Sequence, residues 1–256
     1  MTHVSYSALK IFNDCPHKYK LSYIDKIQGF KGNEYTAFGT ALHEACERKL
    51  LDNSVQEIEC FLNKFDEEIK SIFAETEADP KLLAEMKQQG QDLVPLIIPA
   101  LTEKFGNYSI LNTEEELLQS LMELFKSDIN FKGYIDLILK TEDGKIHIID
   151  WKTCSWGWDM EKKSDAMTSY QLTLYKYFYG LKHNIDPKDI ETHFGLLKRT
   201  AKKNKVELFR VTSGPKKTQN ALNALNIFVH NIEKQFFPKN KLNCQNCEFY
   251  KTQHCP

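Results

Sequence analysis

The sequence predicts an α/β fold: a mixed or antiparallel central sheet, flanking helices, and a helical insertion ahead of the central hairpin. Three observations predict it. Gly133–Leu139 and Ile146–Thr153 are β-rich runs on either side of an Asp-Gly turn, which reads as a hairpin. Residues 34–105 read as largely helical. Residues 165–183 and a stretch from about Lys216 to Lys234 read as helices flanking a further strand pair over 190–212.

Taken in order, Ser5 to Tyr19 opens as a short capped helix leading to Cys15-Pro16, and residues 5–24 form short helices. Gly39-Thr40-Ala41-Leu42-His43-Glu44 lies in a helix whose buried stripe is Phe38, Leu42, Ala45 and Leu50. A lone helical histidine is more often structural than a ligand, and Glu44 and Glu47 on such a helix read as solvated, with extra ligands as the alternative. Gln56–Ala74 and Pro80–Leu101 are long helical candidates, broken by Pro80, Gly90 and Pro95. Glu114–Lys126 reads equally as strand or helix.

The hairpin carries the chemistry. Ile148-Ile149-Asp150-Trp151-Lys152-Thr153 is an apolar run ending in an acid and a lysine two residues apart, on one face of a strand. That pair suits metal-assisted phosphodiester hydrolysis, the acid holding an ion and the lysine positioning water or steadying charge. Alone, Asp-x-Lys is usually a surface ion pair worth little. Parity sharpens the reading. A two-residue Asp143-Gly144 loop would put Asp136 and Asp150 on opposite faces. A three-residue Glu142-Asp143-Gly144 loop, with Gly144 left-handed, pairs Thr141 with Lys145 and sets Asp136 opposite Asp150. The three-residue loop is preferred, although a longer loop or a bulge also restores the parity. Two acids so opposed repel unless a cation lies between them. Further on, Gln171 and Tyr175 share one helical face at i and i+4.

The chain has 256 residues, 34 basic and 35 acidic, and a formal net charge of −1, so nucleic-acid attraction must come from local clusters. Lys198–Lys205 is the densest basic run; such a loop most often only aids solubility, and beside a nuclease site it reads as a phosphate-binding lip. Trp156 and Trp158 read as loop or core anchors, with base stacking as the alternative. The opening lacks a basic and apolar leader, which predicts an intracellular, cytoplasmic setting where disulfides are disfavoured. Seven cysteines, an odd count, agree. Cys46, Cys60 and Cys154 read as buried thiols. Cys244-x-x-Cys247 is a ligand spacing that suits zinc or an iron–sulfur cluster. No apolar stretch reaches membrane-spanning length, and no Gly-x-x-x-x-Gly-Lys-[Ser/Thr] loop for ATP is present.

In order, Gly-x-x-x-His, Gly-x-x-Asp, Asp-x-Lys-Thr and Gln-x-x-x-Tyr closely resemble the RecB-type branch of the PD-(D/E)XK nucleases. The resemblance covers residues 5–175 and both termini. Cys15-Pro16 together with Cys244, Cys247 and Cys255 resembles members that bind an iron–sulfur centre, the AddB subunit of helicase–nucleases and CRISPR-adaptation exonucleases among them. It implies a restriction-endonuclease-like core and a single nuclease domain over 1–256, with a helical region at 34–105, a catalytic core at 108–212, and ends 1–24 and 240–256 joined by cysteines. His43, Asp136, Asp150 and the Trp151 carbonyl match the metal ligands. Lys152 matches the catalytic lysine, and Gln171 and Tyr175 the pair near the scissile strand. Oxygen donors with one imidazole select Mg²⁺ or Mn²⁺. Cys15, Cys244, Cys247 and Cys255 match the [4Fe–4S] ligands. Zinc is the alternative metal and His254 the alternative ligand, since seven residues separate Cys247 from Cys255. The implied activity is a DNA exonuclease on single strands or ends, with helicase, recombination or adaptation proteins as partners and no membrane. Two other readings are a weakly active, cluster-stabilised subunit of such a complex and a zinc-stabilised nucleic-acid-binding protein. The second leaves the acid–lysine set unexplained.

Overall fold

The computed structural model describes residues 3–27, 29, 32–73, 78–245 and 247–256. Ala74, the expected end of one helix, lies outside them, as do residues 1, 2 and 246 of the two ends expected to be joined by cysteines. In chain order come β1 (His3–Val4), α1 (Tyr6–Asp14), α2 (Pro16–Tyr19), α3 (Glu34–Leu51), α4 (Glu57–Ile72), α5 (Pro80–Leu93) and α6 (Ile97–Phe105). Then follow β2 (Tyr108–Ser120), α7 (Met122–Phe125), β3 (Asn130–Thr141), β4 (Ile146–Cys154), α8 (Met160–Ser164), α9 (Ala166–His183), β5 (Ile190–Lys198), β6 (Val206–Val211) and α10 (Pro215–Glu233).

Local chemistry sets most boundaries. Ser5 caps α1 by accepting from the Ala8 N–H, and Asn33 caps α3 reciprocally with Thr36. Pro80 sits at the start of α5, where its missing N–H costs nothing, and Pro95 forces the 3₁₀ turn that separates α5 from α6. Gly90, by contrast, does not break the helix. It lets α4 approach: a Cβ there would lie 2.0 Å from the Phe61 ring. The ambiguous stretch resolves as strand up to Ser120, followed by the short helix α7.

The sheet is mixed, as expected. β3–β4 and β5–β6 are antiparallel, whereas β4–β5 are parallel and joined through α8 and α9. β2 runs along one whole edge of β3, from Tyr108↔Thr141 to Ser120↔Asn130. The other edge of β3 is shared. β1 pairs with it in parallel at Asn130 and Phe131, and β4 pairs with it between Leu137 and Lys140. Among the described residues no strand covers that edge over residues 132–136, which opens a gap inside the sheet.

Two apolar cores lie on the two faces. One joins α1, α9 and α10 to Phe131, Ile135, Ile138, Ile148 and Phe194. The other joins α3 to α6 to Leu137, Leu139, Ile149, Trp151 and Leu197. Ile135 and Leu137, two residues apart on β3, thus belong to different cores, so the sheet coils through itself at Asp136. Opposite Asp136, between the pairs Thr113↔Leu137 and Glu115↔Ile135, Glu114 has φ 48°, a left-handed conformation. The coil and the gap coincide.

Candidate active site

The β3–β4 turn has the three-residue form. The Thr141 N–H donates to the Lys145 carbonyl at 3.0 Å, and Gly144 has φ 83°. Leu137↔Ile149 is the last ladder pair, so Asp136 and Asp150 occupy the next opposed positions. There the strands part, and the Asp136 carboxylate fills the breach by accepting from the Trp151 N–H at 2.6 Å.

Four elements converge on this point. On α3, Gly39 brings the helix against β4, since a Cβ there would sit 3.3 Å from the Thr153 hydroxyl. One turn along, His43 Nδ1 lies 3.6 Å from Asp136 Oδ2, and the same ring hydrogen-bonds with the Trp151 backbone. On β4, buried Asp150 accepts from Gln171 Nε2 at 2.6 Å through Oδ1. Its Oδ2 has no aligned hydrogen-bond donor, and the Lys152 ammonium meets it at 2.6 Å as an ion pair. On α9, Gln171 Nε2 also donates to the Tyr175 hydroxyl at 3.3 Å. Gln171 and Tyr175 are both buried, and they fasten Asp150 rather than facing solvent.

The structure therefore brings together His43, Asp136, Asp150, Trp151, Lys152, Gln171 and Tyr175. It adds one residue the sequence did not reveal. Glu114, His43 and Asp136 offer donor atoms all within 4.8 Å of one another. Glu47, read as solvated, accepts from Thr113 Oγ1 at 3.3 Å beside that group. Glu44 is paired with Arg48 and Lys64.

Burial and mutual charge set the protonation of the site. Burial, and then the Asp150 charge, hold the Asp136 acid well above the ordinary carboxylate range. Partial desolvation, with Glu47 and Asp150, pushes Glu114 up as well. Burial pushes His43 down, which keeps its ring neutral. Burial alone would also lower Lys152, but Asp150 and Asp136 outweigh it and hold the ammonium charged. Crowded carboxylate oxygens and a neutral imidazole fit a hard divalent cation.

The raised Asp136 acid has a measurable consequence. A carboxyl whose pKa rises on folding contributes stability that is complete below its unfolded pKa, about 3.9, and is lost as pH climbs through the native value. In chelator, the protein should melt progressively lower as pH rises from about 4 toward neutrality. Asp136→Asn should flatten that slope, and an unchanged profile would contradict the buried acid.

Gly133 is a second test. A Cβ there would lie 2.7 Å from the Tyr175 ring, so the first glycine of Gly-x-x-Asp is required by close approach. Gly133→Ala should cost about 1–3 kcal/mol in thermal or denaturant unfolding. The same change made on Tyr175→Ala should cost much less.

The other expectations divide. Trp158 packs on Phe194 and Phe209, whereas Trp156 is exposed. The basic run is largely engaged: Lys198 pairs with Glu207, Lys205 with Asp92, and Arg199 binds Gln89 and Ser155. Only Lys202 and Lys203 of that run are exposed and unpaired among the described residues, so the phosphate-binding lip is thinner than its sequence suggests. Cys46 is buried, and Cys60 and Cys154 are half-buried.

Cys15, Cys244, Cys247 and Cys255 line one cavity of about 330 Å³ at the joined ends of the chain. The Asn240 N–H donates to Cys15 Sγ at 3.3 Å, and Asn240 and Asn243 both donate to the Asp14 carbonyl. No three of the four sulfurs lie within 4.8 Å of one another.

The sequence model of the PD-(D/E)XK nuclease superfamily matches residues 3–252. Among solved structures, a presumed exonuclease from Eubacterium rectale is similar at TM-score 0.62 and 12% identity, over 99% of this chain and 90% of that one. SSO0001 matches at TM-score 0.39 and 15% identity, over 91% of each chain. No curated protein sequence matches.

Proposed function

Because the chain belongs to the PD-(D/E)XK nuclease superfamily, we propose that it is a metal-dependent DNA nuclease, acting as an exonuclease on single strands or DNA ends. The observation that carries the reading is the parting of β3 and β4 at Asp136 and Asp150, with Lys152 beside them and His43 above. Residues 1–256 act as one nuclease unit in this reading.

His43, Asp136, Asp150 and the Trp151 carbonyl would hold Mg²⁺ or Mn²⁺, with Glu114 within reach of the same ion. A divalent ion bound there supplies Lewis acidity toward the scissile phosphate. The chain's own groups do the rest. Lys152, held charged, orients a water and offsets charge developing on the phosphate oxygens. Gln171 aims the Asp150 carboxylate and Tyr175 braces Gln171, so the two position the acid rather than react. Asp136 keeps its orientation through the Trp151 N–H. The exonucleolytic mode and the choice of DNA rest on the family resemblance, and the likeness to a presumed exonuclease is in keeping with them.

Cys15, Cys244, Cys247 and Cys255 would hold a [4Fe–4S] cluster that ties the two ends together. A single tetrahedral zinc, with Zn–S near 2.3 Å, would draw its sulfurs to about 3.8 Å from one another. Zinc is the alternative occupant, and the metal content of the purified protein decides between the two. Helicase or recombination proteins are the partners this reading anticipates.

End-labelled linear and closed circular single-stranded DNA, each incubated with Mg²⁺ or Mn²⁺, test the proposal. Linear DNA should be degraded and circles spared. Cut circles would overturn the exonucleolytic mode, and intact DNA under every metal would overturn the nuclease reading.

A further inference from the structure

On the other face of β4, three residues before Asp150, lies a group of donors that the nuclease chemistry does not use. Parallel pairing sets His147 beside Glu191 and Ile149 beside His193, so all three polar side chains face the α6 side of the sheet. Phe105 of α6 rests on both imidazoles, with ring centroids 4.8 and 5.1 Å away. His147 and His193 are buried and Glu191 is half-buried.

We propose that His147 Nδ1, Glu191 Oε2 and His193 Nε2 form a second metal site, for a transition-metal cation of the zinc class, separate from the Asp136–Asp150 centre. The three atoms make a triangle with sides of 3.1, 3.8 and 3.8 Å. The circle through its corners has a radius of about 2.1 Å, the length of zinc–nitrogen and zinc–oxygen bonds. One ion at that point is equidistant from all three donors and lies in their plane; drawing the carboxylate in until its two 3.8 Å sides shorten to about 3.4 Å would lift the ion out of the plane and admit a water as fourth ligand. Two imidazoles and a carboxylate are a borderline donor set that selects zinc-like ions over magnesium.

The surroundings prepare two of the three donors. Thr141 Oγ1 gives its proton to Asp143, so it must accept from His147 Nε2, 3.1 Å away. That fixes the tautomer and leaves the Nδ1 lone pair directed at the corner. Arg210 engages Glu191 Oε1 at 2.9 Å, which leaves Oε2 available. His193 Nε2 meets only His147 Nδ1 and the Glu191 carboxylate, and for Nε2 to act as a ligand the ring proton sits on Nδ1, which is buried without a protein partner. Burial holds both rings neutral, as ligands must be, with His193 pushed down to about 3. A bare imidazole–imidazole hydrogen bond accounts for the 3.1 Å side but not for the carboxylate oxygen 3.8 Å from both nitrogens. That oxygen is too far to bond either ring and symmetric between them.

The site would be structural. It joins the starts of β4 and β5 and, through Thr141, the hairpin turn, upstream of Asp150 and Lys152 on the same strand.

The test uses the full chain carrying Asp136→Asn, to silence the nuclease ligands, as parent. Glu191→Gln and His147→Gln are added singly. Each protein is loaded with Zn²⁺ and desalted, its zinc is counted by mass spectrometry, and its melting temperature is recorded with and without the ion. The parent should retain one equivalent more than either variant, and its zinc-dependent rise in melting temperature should shrink in both. Zinc affinity in Glu191→Gln should fall at least tenfold. Zinc on the cysteines is common to all three proteins and cancels. Glu191 is half-exposed, so Glu191→Gln decides the matter if His147→Gln does not fold. Equal zinc content and equal melting shifts in parent and folded variants would overturn the site.

Discussion

Asp150→Ala should lower divalent-metal-dependent DNA cleavage by at least about 1000-fold, equivalent to roughly 4 kcal/mol of transition-state stabilisation. The residue is buried, its Oδ2 has no aligned donor, and its Oδ1 is held by Gln171. No neighbour can substitute for it. Asp136→Ala and Lys152→Ala should be about as severe, and double variants scarcely worse than singles, because the groups act as one unit. The metal-free fold should survive. Removing one of two crowded acids relieves repulsion but leaves the Lys152 ammonium and the Gln171 amide without their carboxylate partner, so the melting temperature in chelator should fall for Asp150→Ala while the protein stays folded. Single-turnover cleavage of labelled DNA, paired with thermal melts, measures both. Full activity in Asp150→Ala would remove the site from the chemistry.

Cys15→Ser should bleach the visible absorption of anaerobically purified protein and lower its stability by on the order of 5 kcal/mol. That is the loop-closure value for a cross-link spanning more than 200 residues. Cys46→Ser should leave the chromophore unchanged, because Cys46 is a buried residue of α3 and does not line the cysteine cavity. Loss of activity in Cys15→Ser should follow the loss of structure, since no cysteine touches Asp150. Stoichiometric zinc without iron in the wild type would replace the cluster by a zinc tie. His254 in place of Cys255 would change its composition alone.

Residues within one hairpin were the most legible. Gly144 and the parity of the strands located Asp136 against Asp150, because a turn type and a period of two are local properties. Gln171 and Tyr175 were legible as a shared helix face, but not as the clamp on Asp150, which depends on how α9 crosses β4. Glu114 left no local trace. A register shift between Ile110 and Asn112 and a left-handed residue bring it opposite Asp136. No stretch of β2 announces such a coil. Gly90 misled for a related reason. Its helix-breaking tendency, about 1 kcal/mol, yields to the packing of Phe61 that only glycine permits. The basic run misled because its side chains are engaged by distant partners, Lys205 by the Asp92 carboxylate and Arg199 by the Gln89 amide, each more than 100 residues away.

The lane that β1 and β4 share along β3 has a kinetic consequence. The β3–β4 hairpin closes over a three-residue turn, so it forms early and without help. β1 can add to β3 only after some 125 intervening residues have collapsed, and the contact of Asp14 with Asn240 spans 226 positions. Pairings of such sequence separation form last on folding and open first under native conditions. Amide exchange should thus find Ile148 and Ile149 among the slowest protons and Val4 among the fast ones. A chain still emerging from the ribosome would have its acids assembled before the edge that frames them.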